Sequence, residues 1–86
     1  ISDAASVSPS AVLEPGCIIL PQVYVGADAH LGVGCIVNAG AIVDHNAHLG
    51  RGVHVAPGGI VKASAEVADF GKVDSGEIVR SPWENQ

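Results

Sequence analysis

The sequence is poor in the side chains that usually fill a protein interior. It has one Trp, one Tyr, one Phe and no Met. Yet 48% of its residues are hydrophobic. The apolar mass is therefore Val, Ile, Leu and Ala, which suit narrow, repeated strands better than an aromatic core. Positive charge is scarce too: four Lys+Arg against nine Asp+Glu give a formal net charge of −5. With no basic block and no aromatic platform, the chain has nothing to offer a phosphate backbone or stacked bases, so nucleic acid is not expected as a partner. No apolar run approaches the roughly 18 residues that a membrane span requires, and no signal-peptide pattern opens the sequence, so a soluble cytoplasmic protein is expected. The two cysteines, Cys17 and Cys35, lack the spacing of a metal knuckle. Eighty-six residues leave room for one domain, and a globule of that size buries only about 60% of its unfolded surface.

What is present is a beat of six. Cut every six residues, the chain reads ISDAAS, VSPSAV, LEPGCI, ILPQVY, VGADAH, LGVGCI, VNAGAI, VDHNAH, LGRGVH, VAPGGI, VKASAE, VADFGK, VDSGEI and VRSPWE, with Asn85 and Gln86 left over. Position one is Ile, Val or Leu in all fourteen blocks. At average residue usage that run has odds of roughly one in 10⁸ or worse. Position five is Ala, Cys, Val or Gly until Glu77 and Trp83 break the rule. A large aliphatic and a small residue thus point inward in every block. Positions three and four carry Pro, Gly, Asn and Asp (Pro15-Gly16, His45-Asn46, Pro57-Gly58), which turn a chain tightly or tolerate φ > 0. A helical reading fails, because the 3.6-residue period is absent and Gly or Pro interrupts every window.

Each hexapeptide is then a short strand and a corner. The pattern resembles the hexapeptide-repeat family, in which three blocks make one triangular coil of a left-handed parallel β-helix. The resemblance implies an all-β fold of about 4.7 coils, with regular hexapeptides over residues 1–72 and an irregular capping segment over 73–86. Trp83, too large for an inward small-residue slot, is expected to lie over the open end.

In an 18-residue coil, residues 18 apart stack at the parallel-strand spacing of about 4.8 Å. Cys17 and Cys35 share such a column at position five, as two small hydrophobes or, alternatively, as a disulfide or metal pair. His30 and His48 stack at outward position six, and His54 holds the same position one face further on. His45 stands apart, on a corner between Asp44 and Asn46. Lys62 and Arg80 stack at position two, either as solubilising charge or as a contact for an anionic ligand.

The stretch VNAGAIVDHNAHLGRGVHVAPGG, Val37 to Gly59, is similar to the signature of bacterial sugar O- and N-acetyltransferases related to the sialic-acid O-acetyltransferase. Asn38, Gly40, Asp44, His45, Gly50, His54, Pro57 and Gly58 match that signature in place. The resemblance, which extends over Ile1 to Val67, implies acetyl transfer from acetyl-CoA to a sugar hydroxyl or amine, with no metal. It makes His45 the general base, an imidazole able to take the acceptor's proton. Asp44 would orient or polarise His45 or contact the sugar, and Asn38 would bind the acceptor. Asn46, also at the acceptor side, replaces an acid that the family usually carries. His54 would lie near the acetyl group of the co-substrate, with Lys62 and Ala63 in the coil above His45. There the family has a Gly turn, and Ala63 at a φ > 0 corner would cost about 1 kcal/mol. A homotrimer with the site shared between subunits is the expected assembly.

Two other readings compete. One is a truncated or non-catalytic scaffold that assembles through its β-helix. The other is a zinc protein of the γ-carbonic-anhydrase type using His30, His48 and His54, although no two histidines have the five-residue separation found in that family.

Overall fold

Most blocks close by the same local rule. The carbonyl of position two accepts a hydrogen bond from the N–H of position five, as in Ala47 to Asp44 (3.2 Å), Gly59 to Ala56 (2.9 Å) and Ala65 to Lys62 (3.0 Å). The two residues between are a corner, and the second of them lies in the left-handed region. This holds at position four of every block from Gly16 to Gly76, including the non-glycines Gln22, Asp28, Asn46, Ser64 and Phe70. A turn closed in this way with φ > 0 at its third residue is type II, which favours Pro at its second residue. Pro57 stands there, and Pro15 and Pro21 hold the same place in blocks whose fourth residue is also left-handed.

The computed structural model describes residues 1–83. Among these residues, thirteen two-residue strands form three parallel sheets, the faces of a left-handed β-helix. Face 1 holds β1 (Ser6–Val7), β4 (Tyr24–Val25), β7 (Ile42–Val43), β10 (Ile60–Val61) and β13 (Ile78–Val79). Face 2 holds β2 (Val12–Leu13), β5 (His30–Leu31), β8 (His48–Leu49) and β11 (Glu66–Val67). Face 3 holds β3 (Ile18–Ile19), β6 (Ile36–Val37), β9 (His54–Val55) and β12 (Lys72–Val73). Each strand pairs with the one three further on, residue to residue at a separation of 18, for example His30 with His48 and Val37 with Val55. The helix thus makes four turns and begins a fifth. Its first strand residue points outward and its second inward, so the core is a stack of position-one and position-five side chains. Ile19, Val25, Leu31, Val37, Val43, Val55, Val61 and Val73 are at most 2% exposed. Val7, Leu13, Val67 and Val79 are only partly covered, because they lie near the two ends of the stack.

Two details correct the sequence reading. Ala63 does not carry the left-handed backbone; Ser64 does, at φ 61. The turn needs positive φ only at its third residue, so Ala63 brings no strain of that kind. Trp83 is 69% exposed and does not fill the end of the prism. Instead its N–H donates to the Ser81 hydroxyl, and Ser81 is the buried residue there. Strand pairing continues to Val79. Glu77 is tolerated because it is exposed on the last rung. The rule ends at Pro82, which occupies position four with φ locked negative and so cannot make the left-handed corner. Residues 84–86 of the expected capping segment lie outside the described residues.

Candidate functional site

His45 sits on the edge between faces 1 and 2, held there by its backbone. Val43 and Ala47, at position one of its block and position five, are fully buried and fix the corner from inside. The Asp44 N–H donates to Val61 (2.9 Å) and the Asn46 N–H to Ala27 (2.9 Å), while the His45 carbonyl accepts from the Ser64 N–H (3.1 Å). The corner is therefore clamped to the coils on both sides. The His45 N–H itself donates to Oδ1 of Asp44 at 2.7 Å. Asp44 thus orients the His45 backbone and makes no bond to the ring. Asn38 does the same on another edge, accepting the Ala39 N–H at 2.8 Å.

The ring is held from its other neighbour: Nδ1 of His45 lies 3.2 Å from Oδ1 of Asn46. His45 and Asn46 are exposed, Asp44 half-buried. Lys62 and Ala63 belong to the same edge one coil above, Lys62 in the column of Asp44 and Ala63 in that of His45. The structure therefore brings together Asp44, His45, Asn46, Lys62 and Ala63. Ser64, which the sequence reading passed over, belongs with them through its N–H. The 18-residue register that aligns it with Asn46 was the signal for it.

Asn38 and His54 lie elsewhere on the prism. Asn38 follows β6 at the edge between faces 3 and 1, and His54 is in β9 on face 3, between Ile36 and Lys72. Face 3 is the side opposite the His45 edge, so one chain cannot bring His45 and His54 to a common ligand. His54 is half-buried, and its Nε2 is fully buried without a hydrogen-bond partner. Such an orphaned polar atom costs about 1–3 kcal/mol.

Face 2 carries a shallow groove of about 600 Å³ lined in part by His30, His48, Arg51, Glu66 and Asp69. Nε2 of His30 pairs with Glu14 at 2.9 Å, and the His30 and His48 rings lie 5.8 Å apart at 54°. The His30–His48 column expected from the register is thus real. His54 lies on a different face, and among the described residues no three His, Cys, Asp or Glu side chains are placed to hold a metal ion. Arg51 donates its backbone N–H (2.8 Å) and its guanidinium (3.0 Å) to Asp69, holding that carboxyl below its ordinary value. The groove includes neither His45 nor His54, and its Arg51 and Asp69 are paired with each other. Cys17 and Cys35 are free thiols, whose Sγ atoms donate to the carbonyls of Gly32 (3.2 Å) and Gly50 (3.1 Å). Burial pushes the Cys35 thiol up.

No protein-family model matches the chain, and no curated protein sequence matches it. Solved structures do. The acetyltransferase domain of PglB from Neisseria gonorrhoeae FA1090, in complex with acetyl coenzyme A, superimposes with a TM-score of 0.89 at 32% identity, over 92% of this chain and 38% of that one. A second structure of the same domain gives 0.78 at 26% identity, over 92% and 47%. PerB from Caulobacter crescentus, in complex with CoA and GDP-perosamine, aligns at 25% identity over 90% and 52%, with a TM-score of 0.35 that carries no structural argument. The chain spans less than half the length of the PglB domain chains it matches. Its likeness to the hexapeptide-repeat acyltransferases, read first from the spacing of its residues, holds in three dimensions.

Proposed function

We propose that the chain is the β-helix of an acetyl-CoA-dependent acetyltransferase acting on a sugar hydroxyl or amine, of the sialic-acid or nucleotide-amino-sugar type, in the cytoplasm. The observation that carries this reading is the His45 corner, an imidazole projecting from the prism edge and tied by its neighbour. His45 takes the proton of the acceptor O–H or N–H as that atom attacks the thioester carbonyl carbon. The C–S bond then breaks, and the proton passes on to the departing thiolate, giving the acetylated sugar and free CoA thiol. A backbone N–H near the cleft stabilises the oxyanion. The match of His54 to the signature supports a place for the acetyl group on face 3. The likeness to a PglB domain bound to acetyl coenzyme A supports the choice of co-substrate. The sugar acceptor rests on the motif around Asn38 and His45.

Because His45 and His54 lie on opposite sides of one prism, the reading requires a second copy. Face 1 presents an outward column of Tyr24, Ile42, Ile60 and Ile78, of which Tyr24 is 44% and Ile78 43% exposed. Face 3 presents Ile18, 49% exposed, and Ile36. Packing face 1 of one subunit toward face 3 of the next is a head-to-tail contact that closes as a ring of three. It sets the His45 edge beside the partner subunit's His54. The test is CoA thiol release from acetyl-CoA with amino-sugar and sialic-acid acceptors. His45→Ala is expected to lose activity by 10²-fold or more, and equal rates would sink the proposal. A well-folded trimer that fails to bind CoA by calorimetry would make the scaffold reading the better one.

A further inference from the structure

Asn46 answers two demands at once. Its backbone lies at φ 58, a region where Gly and Asn are the residues most at ease. Its side-chain Oδ1 lies 3.2 Å from Nδ1 of His45. An amide oxygen can only accept a hydrogen bond, so the contact requires a proton on Nδ1. In the neutral ring the other nitrogen, Nε2, is then left without one.

We infer that Asn46 is a positioning residue that selects the Nδ1–H tautomer of His45 and so presents Nε2 as the proton acceptor. The role in catalysis rests on the acetyl-transfer reading; the tautomer assignment does not. The neighbouring groups leave Asn46 as the residue holding the ring: the Asp44 carboxylate is engaged with the His45 N–H, and the His45 carbonyl with Ser64. A neutral acceptor achieves the selection without adding a negative charge beside the imidazole. It thereby separates orienting the ring from raising its basicity, two tasks that a carboxylate would combine. Glycine is the residue that isolates the effect, because it keeps the left-handed corner, as Gly40 and Gly52 do, and removes only the acceptor.

The experiment is long-range ¹H–¹⁵N NMR of the imidazole nitrogens in the intact chain at neutral pH, with His45→Ala used to assign the His45 signals. The wild type is expected to show Nδ1 protonated. Asn46→Gly should return the ring to the mixture, rich in Nε2–H, of free histidine, and Asn46→Asp should restore the Nδ1–H form. In acetyl transfer, Asn46→Gly should lower kcat roughly tenfold to a hundredfold with KM little changed. Asn46→Asp should recover the rate and move the acidic limb of the pH–rate profile upward. A wild-type ring protonated on Nε2, or a tautomer unchanged in Asn46→Gly, overturns the assignment. A changed tautomer with an unchanged kcat overturns the positioning role. If no form of the protein releases CoA thiol, the acetyl-transfer reading fails and takes the catalytic role with it, while the NMR result still decides the tautomer.

Discussion

A β-carbon built on Gly26 would lie 2.6 Å from the backbone nitrogen of His45 and 3.0 Å from its Cα. Gly26 follows β4, one coil below Asp44, and has no left-handed backbone to explain its presence. It is glycine for space: the His45 corner rests on it. Gly26→Ala is therefore expected to push that corner outward. Overpacking of this kind costs about 1–3 kcal/mol, which urea unfolding at pH 7 would measure. Because the displaced residue is the proposed base, kcat should fall as well. A variant as stable and as active as the wild type would show that the coils part at no cost.

The corner above responds to backbone conformation instead. Ser64 donates its N–H to the His45 carbonyl at 3.1 Å while held at φ 61. Ser64→Gly relieves the left-handed strain but loosens the unfolded chain, so a gain of no more than about 1 kcal/mol is expected. Ser64→Val sets a β-branched side chain in that region and should lose about 1–2 kcal/mol. Thermal melts of the two variants should move in opposite directions. A shift of the same sign in both would mean that side-chain contacts, not φ, govern this position.

These two positions show where the sequence is legible. The inward aliphatic at position one and the small residue at position five are visible because the interior admits nothing else, and Leu31 and Ala29, both 0% exposed, obey that rule. The His30–His48 column follows from the same count. Corner chemistry is less legible, since two adjacent positions both attract turn residues, and only backbone angles separate Ala63 from Ser64. Trp83 misled for a different reason. Its size excludes it from the interior but does not say where it goes, whereas Pro82 beside it carries the actual stop. Gly26 gives no sign at all in one dimension, because its reason is the backbone 18 residues further along. The separation of His45 from His54 across the prism is also invisible until strands are assigned to faces.

The two thiols should differ in reactivity. Cys35 is fully buried, Cys17 half-buried, and burial holds the Cys35 thiol above its ordinary value. A thiol reagent at pH 8 is expected to label Cys17 first and Cys35 only as fast as the chain opens. The folded state keeps the Cys35 proton where the unfolded chain releases it, so this group lowers stability as pH rises through the unfolded thiol's value of 9.0. Cys35→Ala should flatten that alkaline slope. Equal labelling rates for the two residues in the folded protein would contradict the buried column.

The opposite slope belongs to Asp69. The Arg51 backbone N–H, then its guanidinium, hold the carboxyl below its ordinary value of 3.8. A carboxyl depressed in the folded state contributes stability above its unfolded value, and that contribution is lost as pH falls through the folded one. Asp69→Asn removes the charge while its amide oxygen can still accept the Arg51 N–H. The variant should therefore be slightly less stable than the wild type at pH 7, with the two converging as pH falls below 3.8 and through the lowered folded value. Both groups are exposed, so 1 M salt should shrink the pH 7 difference as well. A difference that persisted at low pH would point to packing of Arg51 over Phe70, whose ring centroid lies 5.9 Å from the guanidinium carbon, as the larger contribution. Phe70→Leu, compared in the same unfolding series, separates the two: it removes the ring and leaves the Arg51–Asp69 pair in place.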